Sequence, residues 1–218
     1  TINSAGAYKF NLEFYESNGI KGITSLLKSL EFIDGRAFTI GDGKRGDIGN
    51  TSSMYAKSMF DYFNFDSTTV NPLMGFDSVN PFLEYSSKIT YVLGLTSNSG
   101  AQDFEKLILV GGKKLFQKII EKLTEWNKNK NLGIVFGATQ LNELIENFEQ
   151  IKNTHLLIPG VGSQGGSLEE IAEFFSKNNF NSFLINASRS IIYKDKSISF
   201  AAGALEELNN LNLTLDKN

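Results

Sequence analysis

The run Asp42-Gly43-Lys44-Arg45-Gly46-Asp47 places two carboxylates and an ammonium group within six residues. It follows a short apolar segment, Ala37-Phe38-Thr39-Ile40, and precedes Ile48-Gly49-Asn50-Thr51, which reads as the start of a helix. In extended backbone, residues two apart point to the same side. Asp42 and Lys44 are therefore expected to project together from a strand end, with Asp47 carried round the next turn. Opposite charges concentrated in this way can transfer a proton or stabilise charge that develops during a reaction. Lys9, flanked by Tyr8 and Phe10, joins them if its strand lies next to theirs. Alternating charges would then hold one another ionised and oriented. An internal ion-pair cluster is the plainer alternative.

A second group of residues points to an anion. Pro159-Gly160-Val161-Gly162-Ser163-Gln164-Gly165-Gly166 has four glycines that let the backbone turn tightly and bring amide hydrogens to a ligand. A helix expected to begin near Ser167 could add its free amides. Asn186-Ala187-Ser188-Arg189 offers a fixed cation with several donors. The spacing is neither that of a P-loop nor that of a dinucleotide-binding fingerprint.

The elements that must carry these groups alternate in type. Strand-like segments are Ala7–Leu12, Ala37–Ile40, Ser67–Asn71, Ile89–Leu95, Leu132–Phe136, His155–Ile158 and Phe183–Ile185. Helical patterns follow them, from about Ile20 to Leu30, Thr51 to Tyr62, Val79 to Tyr85, Lys113 to Trp126, Leu141 to Phe148, Leu168 to Phe175 and Ala201 to Leu208. Seven consecutive βα units with apolar strands predict a (β/α)8 TIM barrel whose first strand is missing from the sequence, since the closed form has eight units and roughly 250 residues. An open α/β sheet is the alternative. If the missing strand is counted, the glycine-rich turn and Ser188-Arg189 follow the seventh and eighth strands, where barrels commonly bind phosphate. The chain is read as a single barrel domain, residues 1–218, truncated on its N-terminal side.

Composition narrows the chemistry. With 218 residues, 41% hydrophobic and 21% charged, the chain has the make-up of a globular enzyme. A net charge of -3 gives no general electrostatic reason to bind nucleic acid or an anionic membrane. There is no cysteine, which excludes thiolate nucleophiles and Cys-ligated metals, and one histidine, which excludes a His-rich metal site within one subunit. His155 opens a core strand and reads as structural, and Trp126 reads as packing on a helix. No apolar run approaches a membrane span and no signal peptide opens the chain, so a cytoplasmic location is expected.

Several segments together resemble the orotidine 5'-phosphate decarboxylase family, in its bacterial-type branch. They are Tyr8-Lys9-Phe10-Asn11, Asp42 to Thr51, Val70 to Ser78, Thr96-Ser97-Asn98, Pro159 to Gly166 and Ser188-Arg189. The order of motifs is kept across essentially the whole chain. The Asp-x-Lys-x-x-Asp pattern alone is shared with sugar-phosphate enzymes of the same wider group. Its Ile-Gly-Asn-Thr continuation and the two phosphate segments make the likeness specific.

The resemblance implies a catalytic array of Lys9, Asp42, Lys44 and Asp47. In it Lys44 delivers a proton to C6 of the pyrimidine, Asp42 faces the departing carboxylate, and Lys9 organises the network and contacts the ribose. Asp47, with Ile48 and Thr51, is implied to reach a neighbouring subunit's ribose site, which makes a homodimer with shared active sites part of the expectation. Ser97 is implied to read the pyrimidine amide edge, Gln164 and Arg189 to bind the substrate phosphate, and Ser188 to take part in substrate binding. Neither a metal nor an organic cofactor is implied. A Mg²⁺-dependent sugar-phosphate enzyme and a non-enzymatic phosphate-binding module are the alternatives. Two features depart from the family pattern: no segment supplies the first strand with its ribose-holding aspartate, and Ser99 stands where proline is commoner.

Overall fold

Seven parallel strands form one sheet in the order in which they occur in the chain. The protein is described by a computed structural model covering residues 1–162 and 164–217. The strands are β1 (Ala7–Asn11), β2 (Phe38–Arg45), β3 (Ser67–Val70), β4 (Ile89–Leu95), β5 (Leu132–Phe136), β6 (His155–Pro159) and β7 (Phe183–Asn186). The helices are α1 (Leu12–Glu16), α2 (Gly19–Ile33), α3 (Gly49–Lys57), α4 (Phe76–Leu83), α5 (Leu115–Trp126), α6 (Leu141–Ile151), α7 (Leu168–Lys177), α8 (Arg189–Ile192) and α9 (Phe200–Asp216).

Side-chain alternation along the strands splits the core into two layers. Ile40, Tyr91, Val135 and Leu157 meet inside the curled sheet, each from a different strand. Their sequence neighbours Val92, Ile134, Leu156 and Ile158 face outward into a larger apolar layer shared with the helices. Strands buried on both faces need continuous apolar runs, and all five residues of β5, Leu-Gly-Ile-Val-Phe, are buried. Helices contribute their apolar stripes to the outer layer: Phe116, Ile120 and Leu123 from α5, and Leu168, Ile171 and Phe175 from α7.

Among the described residues no ladder joins β1 to β7. Both strands line a cavity of about 430 Å³, together with Leu208, Leu211 and Leu215 of α9. The sheet is thus a nearly closed (β/α) barrel whose edges face one another across this cavity.

The observed elements depart from the sequence boundaries at three instructive places. β2 continues through Arg45, so Asp42 and Lys44 lie within the strand and not beyond it. α9 runs to Asp216 where a helix ending near Leu208 is expected, because Leu211 and Leu215 still pack on the core. The short helix α1 has no counterpart among the predicted elements. His155 is bonded through Nδ1 to Ser182 Oγ at 2.7 Å at the strand-start end of the barrel, and Trp126 packs on Phe76 with ring centroids 5.4 Å apart. Both serve the fold.

Candidate active site

The charged motif lies on an irregularity of β2. Gly41 pairs with Thr68 and Arg45 with Val70, so Asp42, Gly43 and Lys44 stand opposite the single residue Thr69. Extra residues on one strand bend it and re-aim its side chains. The bend is severe enough that Lys44 has a φ of 45°, in the left-handed region. A non-glycine residue there is strained by about 1–3 kcal/mol and persists only where its surroundings fix it. Here the Lys44 amide donates to Thr69 Oγ1 at 2.9 Å, and the Asn71 amide donates to the Arg45 carbonyl at 2.9 Å.

The same geometry assembles three charges. β1 and β2 are adjacent and Asn11 is in register with Asp42, which brings Lys9 Nζ onto Asp42 Oδ2. Lys44 Nζ donates to Asp42 Oδ1 at 2.7 Å, and the Thr69 hydroxyl donates to the same oxygen at 2.7 Å. Lys9 Nζ also donates to Asn11 Oδ1. Burial is the largest influence on Asp42 and opposes its ionisation. The ammonium groups of Lys9 and Lys44 together outweigh that, so its carboxyl is held below the ordinary value. Burial is also the largest influence on Lys9 and lowers its ammonium below the ordinary value, with the attraction of Asp42 offsetting part of the effect. Lys9 and Asp42 are sunk in the barrel with side-chain exposures of 8% and 6%, whereas Lys44 is 45% exposed. The cluster thus has a buried base and an ammonium group at its open end.

Asp47 does not join this cluster. Its Oδ1 accepts the Ile48 amide at 2.8 Å, and among the described residues it forms no ion pair. Ile48 and Thr51 are exposed beside it, at and just after the connection from β2 to α3. Within one chain, three residues of the expected array meet, and Asp47 stands apart, as it would if it served a neighbouring subunit.

The loops at the same end of the barrel converge. Ser97, after β4, donates its hydroxyl to Gln164 Oε1 at 2.7 Å, which links it to the glycine-rich turn after β6. Thr139 Oγ1 donates to the Ser97 carbonyl at 2.9 Å, and Gln140 Nε2 to that of Thr96 at 3.1 Å. The approach is close enough that a Cβ on Gly137 would lie 2.6 Å from the Ser97 amide nitrogen. In the turn itself Gly160 has φ 101°, Gly162 76° and Gly165 94°. Ser163 lies outside the described residues. The turn reaches the start of α8, where Ser190 Oγ lies 3.7 Å from the position of a Cβ on Gly162. Ser188 and Arg189, both exposed, open that helix. Lys9 and Asn11 line one cavity with Val161, Asn186 and Ser188, so one member of the charged cluster and parts of both anion segments border the same space, while Asp42, Lys44, Gln164 and Arg189 are not among its lining residues.

The expected supply of free amides is smaller than the glycine count implies. The amides of Gly162, Gly165 and Gly166 are spent on carbonyls within the turn. At α7 the Ser167 hydroxyl already accepts the Glu170 amide at 3.2 Å, and Glu169 and Glu170 occupy the first turn. Two carboxylates there disfavour a second anion.

Thr69 and Asn11 are the residues that sequence reasoning passed over as actors. Asn11 has a legible signal, being two residues from Lys9 on the same strand face. Thr69 sits in a Ser-Thr-Thr run that reads simply as strand, and only the register of β2 on β3 sets it against the motif. Among the described residues no group of three or more His, Asp or Glu side chains is placed to share a metal ion.

Known proteins resemble this chain in sequence and fold. A family model described as orotidine 5'-phosphate decarboxylase / HUMPS family matches residues 2–202. Orotidine 5'-phosphate decarboxylase of Christiangramia forsetii is 49% identical over 206 residues, spanning 92% of this chain and 75% of that protein. Its counterpart in Porphyromonas gingivalis is 48% identical over 204 residues, spanning 92% and 74%. Among solved structures, Leishmania donovani OMP decarboxylase superposes with a TM-score of 0.83 at 31% identity, covering 99% of this chain and 84% of that one.

Proposed function

The chain belongs to the orotidine 5'-phosphate decarboxylase / HUMPS family, and from that premise we propose that Lys9, Asp42 and Lys44 carry its chemistry at the open end of β2. The reaction is decarboxylation of orotidine 5'-phosphate to uridine 5'-phosphate, in pyrimidine nucleotide biosynthesis. The observation that carries the assignment of residues is the clamping of one buried carboxylate between two ammonium groups, one of them open to a ligand.

Breaking the bond between C6 and the carboxylate leaves an electron pair on C6 in the plane of the ring, where the π system cannot absorb it. Lys44 places positive charge where that pair develops and then gives C6 a proton, while carbon dioxide departs. The resulting neutral amine regains a proton from water. Asp42, kept ionised by Lys9 and Lys44, stands against the substrate carboxylate and repels it. Such repulsion costs binding energy, which contacts to the remote phosphate by Gln164, Ser188 and Arg189 offset. Ser97 reads the pyrimidine edge.

Asp47, Ile48 and Thr51 complete the site of a second copy of the chain. Support comes from the separation of Asp47 from its own cluster and from exposed apolar residues on the segments that follow β2 and β3. Ile48, Met54, Leu73 and Met74 are all more than half exposed, and Gly46 packs against Asn71, which ties the two loops together. The working unit is accordingly a homodimer of single barrel domains. No helix among the described residues is long and apolar enough to cross a membrane, and the proposed location is the cytoplasm.

The test is loss of the orotate absorbance on incubating the chain with orotidylate. The parent is expected to turn over after chelator treatment, and Lys44→Ala to lose at least about 10³-fold in kcat while still binding uridine 5'-phosphate. Equal turnover by the parent and Lys44→Ala would reject Lys44 as the proton donor.

A further inference from the structure

Thr69 differs from its neighbours on β3 in what its hydroxyl touches. Ser67 Oγ and Thr68 Oγ1 donate to the backbone carbonyls of Thr39 and Gly41, at 3.2 and 2.8 Å, which is ordinary support between parallel strands. Thr69 Oγ1 instead donates to Asp42 Oδ1 and accepts the Lys44 amide, at 2.7 and 2.9 Å. It is only 2% exposed, and it faces the three residues of β2 that have no partners of their own on β3.

We propose that Thr69 is a positioning residue for the decarboxylation: its hydroxyl pins the Asp42 carboxylate and the left-handed Lys44 backbone in one pose. One oxygen acts on both catalytic partners because it donates to one and accepts from the other. Without it, Asp42 Oδ1 keeps only the half-exposed Lys44 ammonium as a donor, and the Lys44 amide loses the partner that fixes φ at 45°. The Lys44 ammonium then samples positions away from C6. Because catalysis depends on sub-ångström placement, the loss falls on kcat more than on substrate affinity. This inference rests on the assignment of Lys44 and Asp42 above, and goes beyond it by naming what holds them.

The experiment compares Thr69→Val, which keeps the shape and removes the hydroxyl, with Thr69→Ser, which keeps the hydroxyl. In the full chain, Thr69→Val is expected to lose about 10- to 100-fold in kcat. KM for orotidylate and affinity for uridine 5'-phosphate should stay within about threefold, since the hydroxyl is 2% exposed and both of its hydrogen bonds are to the protein. Thr69→Ser is expected to recover most of the kcat. The acid limb of kcat should move to higher pH in Thr69→Val and not in Thr69→Ser, because the carboxylate loses a donor. The charged groups around that carboxylate are Lys9 from β1, Lys44 from β2 and, near Lys9, Glu13 from α1. All three are present in both variants.

Unchanged kcat and acid limb in Thr69→Val would overturn the proposal, as would a Thr69→Ser variant as impaired as the valine. If Thr69→Val does not fold, Thr69→Ala is read by the same criteria. Failure of both to fold beside a folded serine variant assigns the hydroxyl to stability and likewise overturns the proposal. An inactive parent chain would instead reject the functional assignment, so the two failures are distinguishable.

Discussion

Ser97 and Gln164, from loops on different strands, share a hydrogen bond of 2.7 Å in which the serine donates to the amide oxygen. Resemblance implies the pyrimidine for one and the phosphate for the other, and under the proposed function the two ends of the substrate would be read by residues that touch each other. Gln164→Ala is expected to raise KM for orotidylate by about 10-fold or more with a smaller effect on kcat. In a double-mutant cycle with Ser97→Ala the two effects should not add, because each residue is the other's partner. Additive effects on KM would show that the bond does not matter to binding.

Gly137 allows the loop after β4 to come close. Gly137→Ala puts a methyl 2.6 Å from the Ser97 amide nitrogen, so the Ser97 backbone must move. A displacement of this kind is expected to cost about 10-fold or more in kcat/KM and to lower the thermal midpoint, because all three nearest atoms are backbone. Unaltered kinetics would mean the loop yields freely.

The separation of Asp47 from Lys9, Asp42 and Lys44 can be tested by mixing. Lys44→Ala and Asp47→Ala chains are each expected to be nearly inactive. Unfolded and refolded together, they should regain part of the parental activity, because a mixed dimer holds one site with both residues intact. A mixture as inactive as its parts would place Asp47 in its own chain's site or outside catalysis.

Acid stability follows from the depressed pKa of Asp42. Its folded value lies below the ordinary 3.8, so the folded state binds fewer protons than the unfolded one as the two forms titrate. The stabilisation is fully present above the ordinary value and is lost as pH falls through the lower one. The parent's denaturation midpoint should therefore fall below about pH 5. Asp42→Asn should show a shallower fall over the same range, in circular dichroism melts, and equal slopes would show that Asp42 is not a source of the acid sensitivity.

The outer core offers a control remote from the site. Phe175 is 1% exposed and contacts the rings of Phe148, Phe174, Phe180 and Phe183. Phe175→Ala is expected to cost about 3–5 kcal/mol of stability, measured by urea denaturation, and to leave KM near the parental value in the folded fraction. A large KM change would mean that the outer layer shapes the site.

What the sequence alone determined was the pattern: seven apolar strands each followed by a helical period, a charged motif two residues apart in extended backbone, and glycines and an arginine after the last two strands. These are local properties, and side-chain alternation or helical spacing expresses them wherever the chain folds. Tertiary structure alone decided the irregular pairing of β2 on β3, which depends on a neighbouring strand and turns Lys44 into the left-handed region opposite Thr69. It also decided which amides of the glycine-rich turn remain for a ligand, since Gly162, Gly165 and Gly166 spend theirs within the turn. The separation of Asp47 from Asp42 and Lys44 was legible as a turn following the strand, but the shape of that turn was not. Residues two apart on a strand are placed by covalent geometry, whereas a hydroxyl from the next strand is placed only by register, and register exists only in the assembled sheet.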